Sequence, residues 1–259
     1  MLKKFLYTAT LFISLTSLLN ATIVEFQTSQ GNFQVNLFDQ TTPKTVDNFL
    51  QYIDEEHYTN SVVHRVSPDF VVQGGGFTFE GEWPLERIAT NAAVVNEPVY
   101  SNVKGTIAMA KASTPNSATD QWFFNLKNNA SNLDLQNSGF TVFGQVIGDG
   151  MTVVENIAQL KLCDYSTNMK GIPMVVDDNQ ECSDMSAPGI ENFVVIYQII
   201  IIDSSEVTDA DLTPVKNTLI STPVEPTTPD TGGGSGGSFA WLTLLGLLSF
   251  SMRKLVIKN

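Results

Sequence analysis

The chain has 259 residues, 42% of them hydrophobic, which is enough to fill a core in one or two domains. It carries 27 acids against 14 lysines and arginines, and five of those bases (Lys3, Lys4, Arg253, Lys254, Lys258) lie at the two ends, where no acid occurs. The body between them therefore holds 9 bases against 27 acids, a net charge of −18 that repels phosphate backbones and argues against nucleic acid as a partner.

Residues 1–21 set Lys3 and Lys4 before an apolar run from Phe5 to Leu19 and then Asn20-Ala21, the pattern of a secretory signal peptide cut near Ala21. An uncut N-terminal anchor is the alternative, and both readings export the body to the periplasm or cell surface. In the body, Ile23 to Phe26 and Asn32 to Phe38 alternate apolar and polar around Ser29-Gln30-Gly31, which predicts a β-hairpin. Thr42 before Pro43 marks a helix start, and Val46, Phe49, Leu50 and Ile53 recur at helical spacing.

Val62 to Val66, Val71 to Gln73, Gly105 to Ala110, Trp122 to Leu126 and Thr141 to Val146 read as short strands. Many short strands of this kind point to a closed barrel. A second helix is expected from Met151 to Leu160 and a last strand from Phe193 to Ile202. Residues 204–237 are rich in acids, proline and glycine and predict a disordered linker. Residues 238–259 hold the apolar run Phe239 to Met252 followed by Arg253-Lys254. That run is short beside the roughly 20 residues a spanning helix needs, so flanking residues would have to join it. The segment is read either as a retained membrane anchor or, being similar to bacterial glycine-glycine C-terminal sorting signals, as one cleaved near the preceding glycines, Gly232 to Gly237.

Cys163 and Cys182 both lie in the exported body, where a disulfide is the default and two free buried thiols the alternative. A metal site is disfavoured, because the histidines, His57 and His64, stand about 100 residues away and no Cys-x-x-Cys occurs. Gly74, Gly75 and Gly76 lack the following lysine of a phosphate loop and are read as positions of close backbone approach.

The most specific segment is VVHRVSPDFVVQGGGF, Val62 to Phe77, one arginine among apolar residues ahead of a glutamine and three glycines. Further blocks follow in order: GTIAMAKASTPNSATDQWFF, Gly105 to Phe124, then Leu133-Asp134, then FTVFGQVIGDGMTVVENI, Phe140 to Ile157. With TTPKTVDNFLQYI upstream, these resemble the signature blocks of cyclophilins, the peptidyl-prolyl cis/trans isomerases, over residues 22–203. The resemblance implies a mainly β fold: a closed eight-stranded antiparallel β-barrel capped by two α-helices.

It also implies a site. Arg65 would donate to the amide before proline, Gln73 would orient that guanidinium, and Phe70, Val71, Phe123, Leu133 and Phe140 would form the proline pocket. Gln121 and the main chain of Ala110, Lys111 and Ala112 would bind the flanking peptide. The implied partners are proline-containing polypeptides, met by a single copy of the chain without any cofactor. Asn132 stands where many relatives carry a tryptophan that contacts cyclosporin, which predicts weak binding of that drug. His64 is read as a packing residue and His57 as solvent-exposed. A proline-peptide-binding chaperone module without catalysis is the competing reading, and a structural surface protein a third. The stretch from Cys163 to Pro188 has no family counterpart and is either a loop tuning the groove or a stapled excursion.

Overall fold

A computed structural model describes residues 21–220, apart from 167, 168, 178, 186, 206, 207 and 209–211. The expected signal peptide before Ala21, the later part of the linker and the C-terminal apolar segment lie outside the described residues. Among the described residues no helix is long and apolar enough to cross a membrane.

The elements follow in chain order: β1 (Ile23–Thr28), β2 (Phe33–Leu37), α1 (Pro43–Asp54), β3 (Ser61–Val62), β4 (Arg65–Ser67), β5 (Val71–Gly74), β6 (Phe77–Thr78) and β7 (Glu86–Arg87). Then come β8 (Thr106–Met109), β9 (Trp122–Asn125), α2 (Ala130–Leu133), β10 (Val142–Ile147), α3 (Gly150–Gln159), β11 (Lys161–Cys163), β12 (Ile172–Met174) and β13 (Val195–Asp203). The two predicted helices and the β1–β2 hairpin lie within a residue or two of their expected places, because their apolar residues repeat at a period that one packed face demands.

Eleven strands form one antiparallel sheet in the order β4-β5-β9-β8-β10-β2-β1-β13-β3-β6-β7. The sheet is open, with β4 and β7 at its ends, so the expected closure into eight regular strands is not seen. One cause is local: the run expected as a single strand from Val62 to Val66 is interrupted at Val63-His64. The first half pairs with β13 and the second with β5. The interruption is still hydrogen-bonded on both sides, Val63 N–H donating to Val194 O and His64 N–H to Gln73 O.

The inward face of the sheet and the two long helices enclose an aromatic core. Phe26 stacks on Phe33 at 4.9 Å and meets Trp122 and Phe124 edge-on at 5.2 and 5.4 Å. From α1, Phe49 meets Phe143 at 5.0 Å, and Val154 and Ile157 of α3 are buried in the same cluster. Each such side chain removed from water stabilises the fold by about 1.5–3 kcal/mol. Thr42 occupies the helix N-cap but its hydroxyl turns back to Phe38 O. The Glu97 carboxylate accepts the Lys44 and Thr45 N–H groups instead, an anion at a helix N-terminus.

The stretch after α3 forms its own two-stranded sheet, β11 with β12, stapled by a disulfide between Cys163 and Cys182. Its apolar residues Ile172, Met174 and Met185 pack with Val62, Phe193 and Val195 as a second core. This unit covers the outer edge of β4: Val66 N–H donates to Gly171 O at 2.7 Å. Gly171 has φ +67, and a Cβ there would stand 2.5 Å from Val66 O, so only glycine permits the approach.

Of the linker expected over residues 204–237, residues 212–220 are described as a continuous run. Within it an isolated antiparallel bridge joins Tyr100 to Lys216, and Leu212 packs on the cluster of Val71, Phe123 and Leu133.

Candidate active site

Pleating sends alternate side chains of β5 to opposite faces, so Val72 faces the core while Val71 and Gln73 face outward. Register then builds a row across four strands: Arg65 opposite Gln73, Gln73 opposite Phe123, and Phe123 opposite Ala108. Directly opposed residues share a face with Cβ atoms about 5 Å apart. Residues 58 positions apart in the sequence, Arg65 and Phe123, thus reach one surface through a shared neighbour.

Within this row Arg65 Nη1 donates to Gln73 Oε1 at 3.3 Å, and Gln73 Nε2 donates to Gln121 Oε1 at 2.8 Å. Among the described residues no carboxylate forms an ion pair with Arg65. Burial lowers its guanidinium from the usual value, yet it stays charged at neutral pH because arginine starts so high. The guanidinium is therefore oriented by a neutral amide and keeps its remaining donors for a ligand.

Beside it lies an apolar cluster containing Val71, Phe123, Leu133 and Phe140, with Phe70 and Ala110 partly buried against it. Phe123 and Phe140 meet edge to face at 5.8 Å. All the residues expected to hold proline are thus brought together. Ala110 N–H bonds Gln121 O, which extends the β8–β9 ladder to the rim. Ala112 O accepts from Asn137 Nδ2 at 3.3 Å.

Lys111 does more than its expected main-chain part. Its ammonium lies 5.0 Å from the centre of the Phe140 ring and donates to the carbonyls of Asn137 and Gly139. Burial brings it down to about 8.

A buried polar network beneath the pocket was missed from sequence. Asn129 Nδ2 donates to Phe70 O and to Asn125 Oδ1, and Asn125 Nδ2 donates to Thr106 Oγ1 and Asn102 Oδ1. Asn102 Nδ2 in turn donates to Asp134 Oδ1 and Phe140 O. One chain of amides fixes the backbone on both sides of the pocket. The available signal was the placing of Asn102, Asn125 and Asn129 within or beside the apolar blocks, since buried amides survive only when bonded.

His64 is buried against Phe77 at 4.8 Å, as a packing residue would be. Burial first, and then the charges of Arg87 and Arg65, lower it to about 4, so it is neutral at physiological pH. His57 corrects the expectation of exposure: its side chain is 6% accessible and its Nε2 lies 3.2 Å from Gly75 O and 3.3 Å from Asp120 Oδ2. Asp120 is fully buried and also accepts from Arg87 Nη2 at 3.0 Å. Burial pushes that carboxyl up, and the bonds from His57, Arg87 and Thr119 outweigh it and hold the group below its ordinary value. This ion-pair cluster braces the residue before Gln121 and was not legible, because its members come from three distant segments. Among the described residues no group of three or more metal-ligating side chains occurs.

An oriented cation beside an apolar aromatic cluster suits a reaction that breaks no bond. Rotation about an amide faces a barrier of roughly 18–20 kcal/mol because resonance is lost in the twisted state. Groups that bind the twisted amide better than the planar one lower it.

A model of the family described as cyclophilin type peptidyl-prolyl cis-trans isomerase/CLD matches residues 23–176. The chain belongs to that family, and it is a peptidyl-prolyl cis/trans isomerase. Among curated proteins, a peptidyl-prolyl cis-trans isomerase of Acinetobacter baylyi is 40% identical over 158 residues, covering 60% of this chain and 81% of its own length. Isomerase A of Dickeya dadantii is 41% identical over 54% of this chain and 73% of itself. Isomerase B of Escherichia coli is 40% identical over 52% and 83% respectively. Among solved structures, a Cryptosporidium parvum cyclophilin type isomerase aligns over 71% of this chain and 98% of its own, with a TM-score of 0.49 and 20% identity.

Proposed function

We propose that the chain accelerates rotation about X-Pro bonds in proline-containing polypeptides as they fold after export, at the surface built around Arg65. The observation that carries this reading is the Arg65–Gln73–Phe123 row with its adjoining pocket. Phe70, Val71, Phe123, Leu133 and Phe140 hold the proline ring, while Gln121 and the main chain of Ala110, Lys111 and Ala112 hold the flanking peptide. Arg65 donates to the carbonyl before proline and to the nitrogen lone pair that appears as resonance is lost, with Gln73 keeping its fork in place. No cofactor takes part, and one copy of the chain contains every group required.

The same reading treats Ser61 to Ser67 as one interrupted strand shared between β13 and β5 and sets aside the two-residue strands β6 and β7, which leaves an eight-stranded barrel with α1 and α3 as caps. It takes residues 1–21 as an export signal. It takes residues 238–259 as a membrane anchor or a sorting segment with a basic end, placing the protein in the periplasm or at the cell surface. The body's charge of −18 and the disulfide support an exported setting. The intact arginine and glutamine favour catalysis over passive capture, since a proline-binding chaperone needs only the pocket. Exchange NMR on a short X-Pro peptide tests the reading: the chain is expected to broaden the cis and trans signals. Unchanged exchange, or full activity in Arg65→Ala, rejects it.

A further inference from the structure

The described chain continues past β13 and returns to the pocket. Ser101 N–H donates to Val215 O at 2.8 Å and Asn217 N–H to Val99 O at 2.9 Å, a short antiparallel pairing around Tyr100 and Lys216. Leu212 packs on the same apolar cluster as Val71, Phe123, Leu133 and Phe140. Asn217 Nδ2 donates to Asp134 O at 3.2 Å, and Ile220 Cδ1 lies 2.8 Å from where a Cβ on Gly139 would stand. Asp134 directly follows Leu133, whose carbonyl accepts the Phe140 N–H at 2.9 Å. Both sides of the Leu133–Phe140 wall are therefore touched by one strap. The strap lies beyond residue 176, where the family match ends.

We infer that residues 212–220 form a strap that sets the position of the Leu133–Phe140 wall, with Leu212 and Asn217 as positioning residues for peptide binding. The inference rests on the isomerase reading of that pocket. The wall is held from inside by the Asn102 bonds to Asp134 and Phe140 and from outside by the strap. Loosening the outer hold lets the wall drift from the proline ring in both the planar and the twisted amide. Binding that is shared by ground and transition states shows in KM and leaves kcat in place.

The test uses the full-length chain with Leu212→Ala, Asn217→Ala and Asn217→Asp, and Lys216→Ala as a control. Asn217→Asp keeps an oxygen to accept the Leu219 N–H at 3.0 Å and replaces the donor to Asp134 O with a charged oxygen that repels it. Steady-state isomerisation of an X-Pro peptide is measured beside a thermal melt and the NMR shift of the Leu133 methyls. The three strap variants are expected to raise KM about three- to tenfold with kcat within about twofold, to move the Leu133 signals, and to keep a cooperative melt. Lys216→Ala, whose bridge is main-chain, should match the parent chain. KM within about twofold of the parent in all three variants, or a fall in kcat at constant KM, overturns the inference. A parent chain without activity rejects the isomerase reading instead, so the two failures are separable.

Discussion

Arg65 and Gln73 face each other across β4 and β5, with the guanidinium 3.3 Å from the amide oxygen that aims it. The geometry asks for a planar fork, one arm on Gln73 and the others free for substrate. Arg65→Ala is expected to lower kcat/KM by about 10²–10³-fold, the cost of removing one preorganised donor. Arg65→Lys should recover little, because a point charge cannot keep the Gln73 bond and reach the substrate together. Progress curves on an X-Pro peptide check both, and a lysine variant with near-parental activity would contradict the fork.

Buried His64 links stability to acid. Its folded value of about 4 lies below the ordinary 6.5, so the unfolded chain binds the proton more readily between those limits. Stability therefore rises with pH across that window and is lost as pH falls from about 6.5 toward 4, by on the order of 3 kcal/mol at most. Urea midpoints measured across the window should fall more steeply for the parent than for His64→Gln. Parallel profiles would show that His64 is not the group responsible.

Gly74 is the floor on which the indole of Trp122 rests. A Cβ there would stand 2.6 Å from Trp122 Cη2, with the ring fully buried. Gly74→Ala is expected to cost about 1–3 kcal/mol through overpacking. A chemical denaturation curve and Trp122 fluorescence report it, and an unchanged midpoint would mean that the ring has room to move.

The Cys163–Cys182 disulfide closes a loop with a sequence separation of 19. Opening it through the double substitution Cys163→Ala and Cys182→Ala is expected to remove about 3 kcal/mol, chiefly by freeing the unfolded chain. Both cysteines belong to the second core and the pocket residues to another cluster, so activity at room temperature should survive in the folded fraction. A melt together with a peptide assay separates the two effects.

Legibility in the sequence followed the range of the interaction. The β1–β2 hairpin, α1 and α3 could be read because their partners are close and their apolar residues keep a strict period. Strands β6, β7, β11 and β12 could not, since segments of two or three residues carry no period and exist through distant pairing. Arg65, Gln73 and Phe123 were found through motif order, and the sheet register explains why that order matters. His57 was misjudged from its acidic neighbours Glu55 and Glu56, whereas its actual partner, Asp120, is 63 residues away. The pairing of residues 212–220 was not legible from composition, which measures how much apolar area a segment holds and not which surface it meets.

The Gly171 carbonyl on Val66 closes the outer side of the end strand β4. A terminal strand with open amides is a template onto which an extended polypeptide can add, and one that added here would lie beside Arg65. At one end of the sheet the stapled hairpin occupies the Val66 donor. At the other, β7 is two exposed charged residues long. Among the described residues, neither end of the large sheet thereby presents a long unpaired edge to an extended chain.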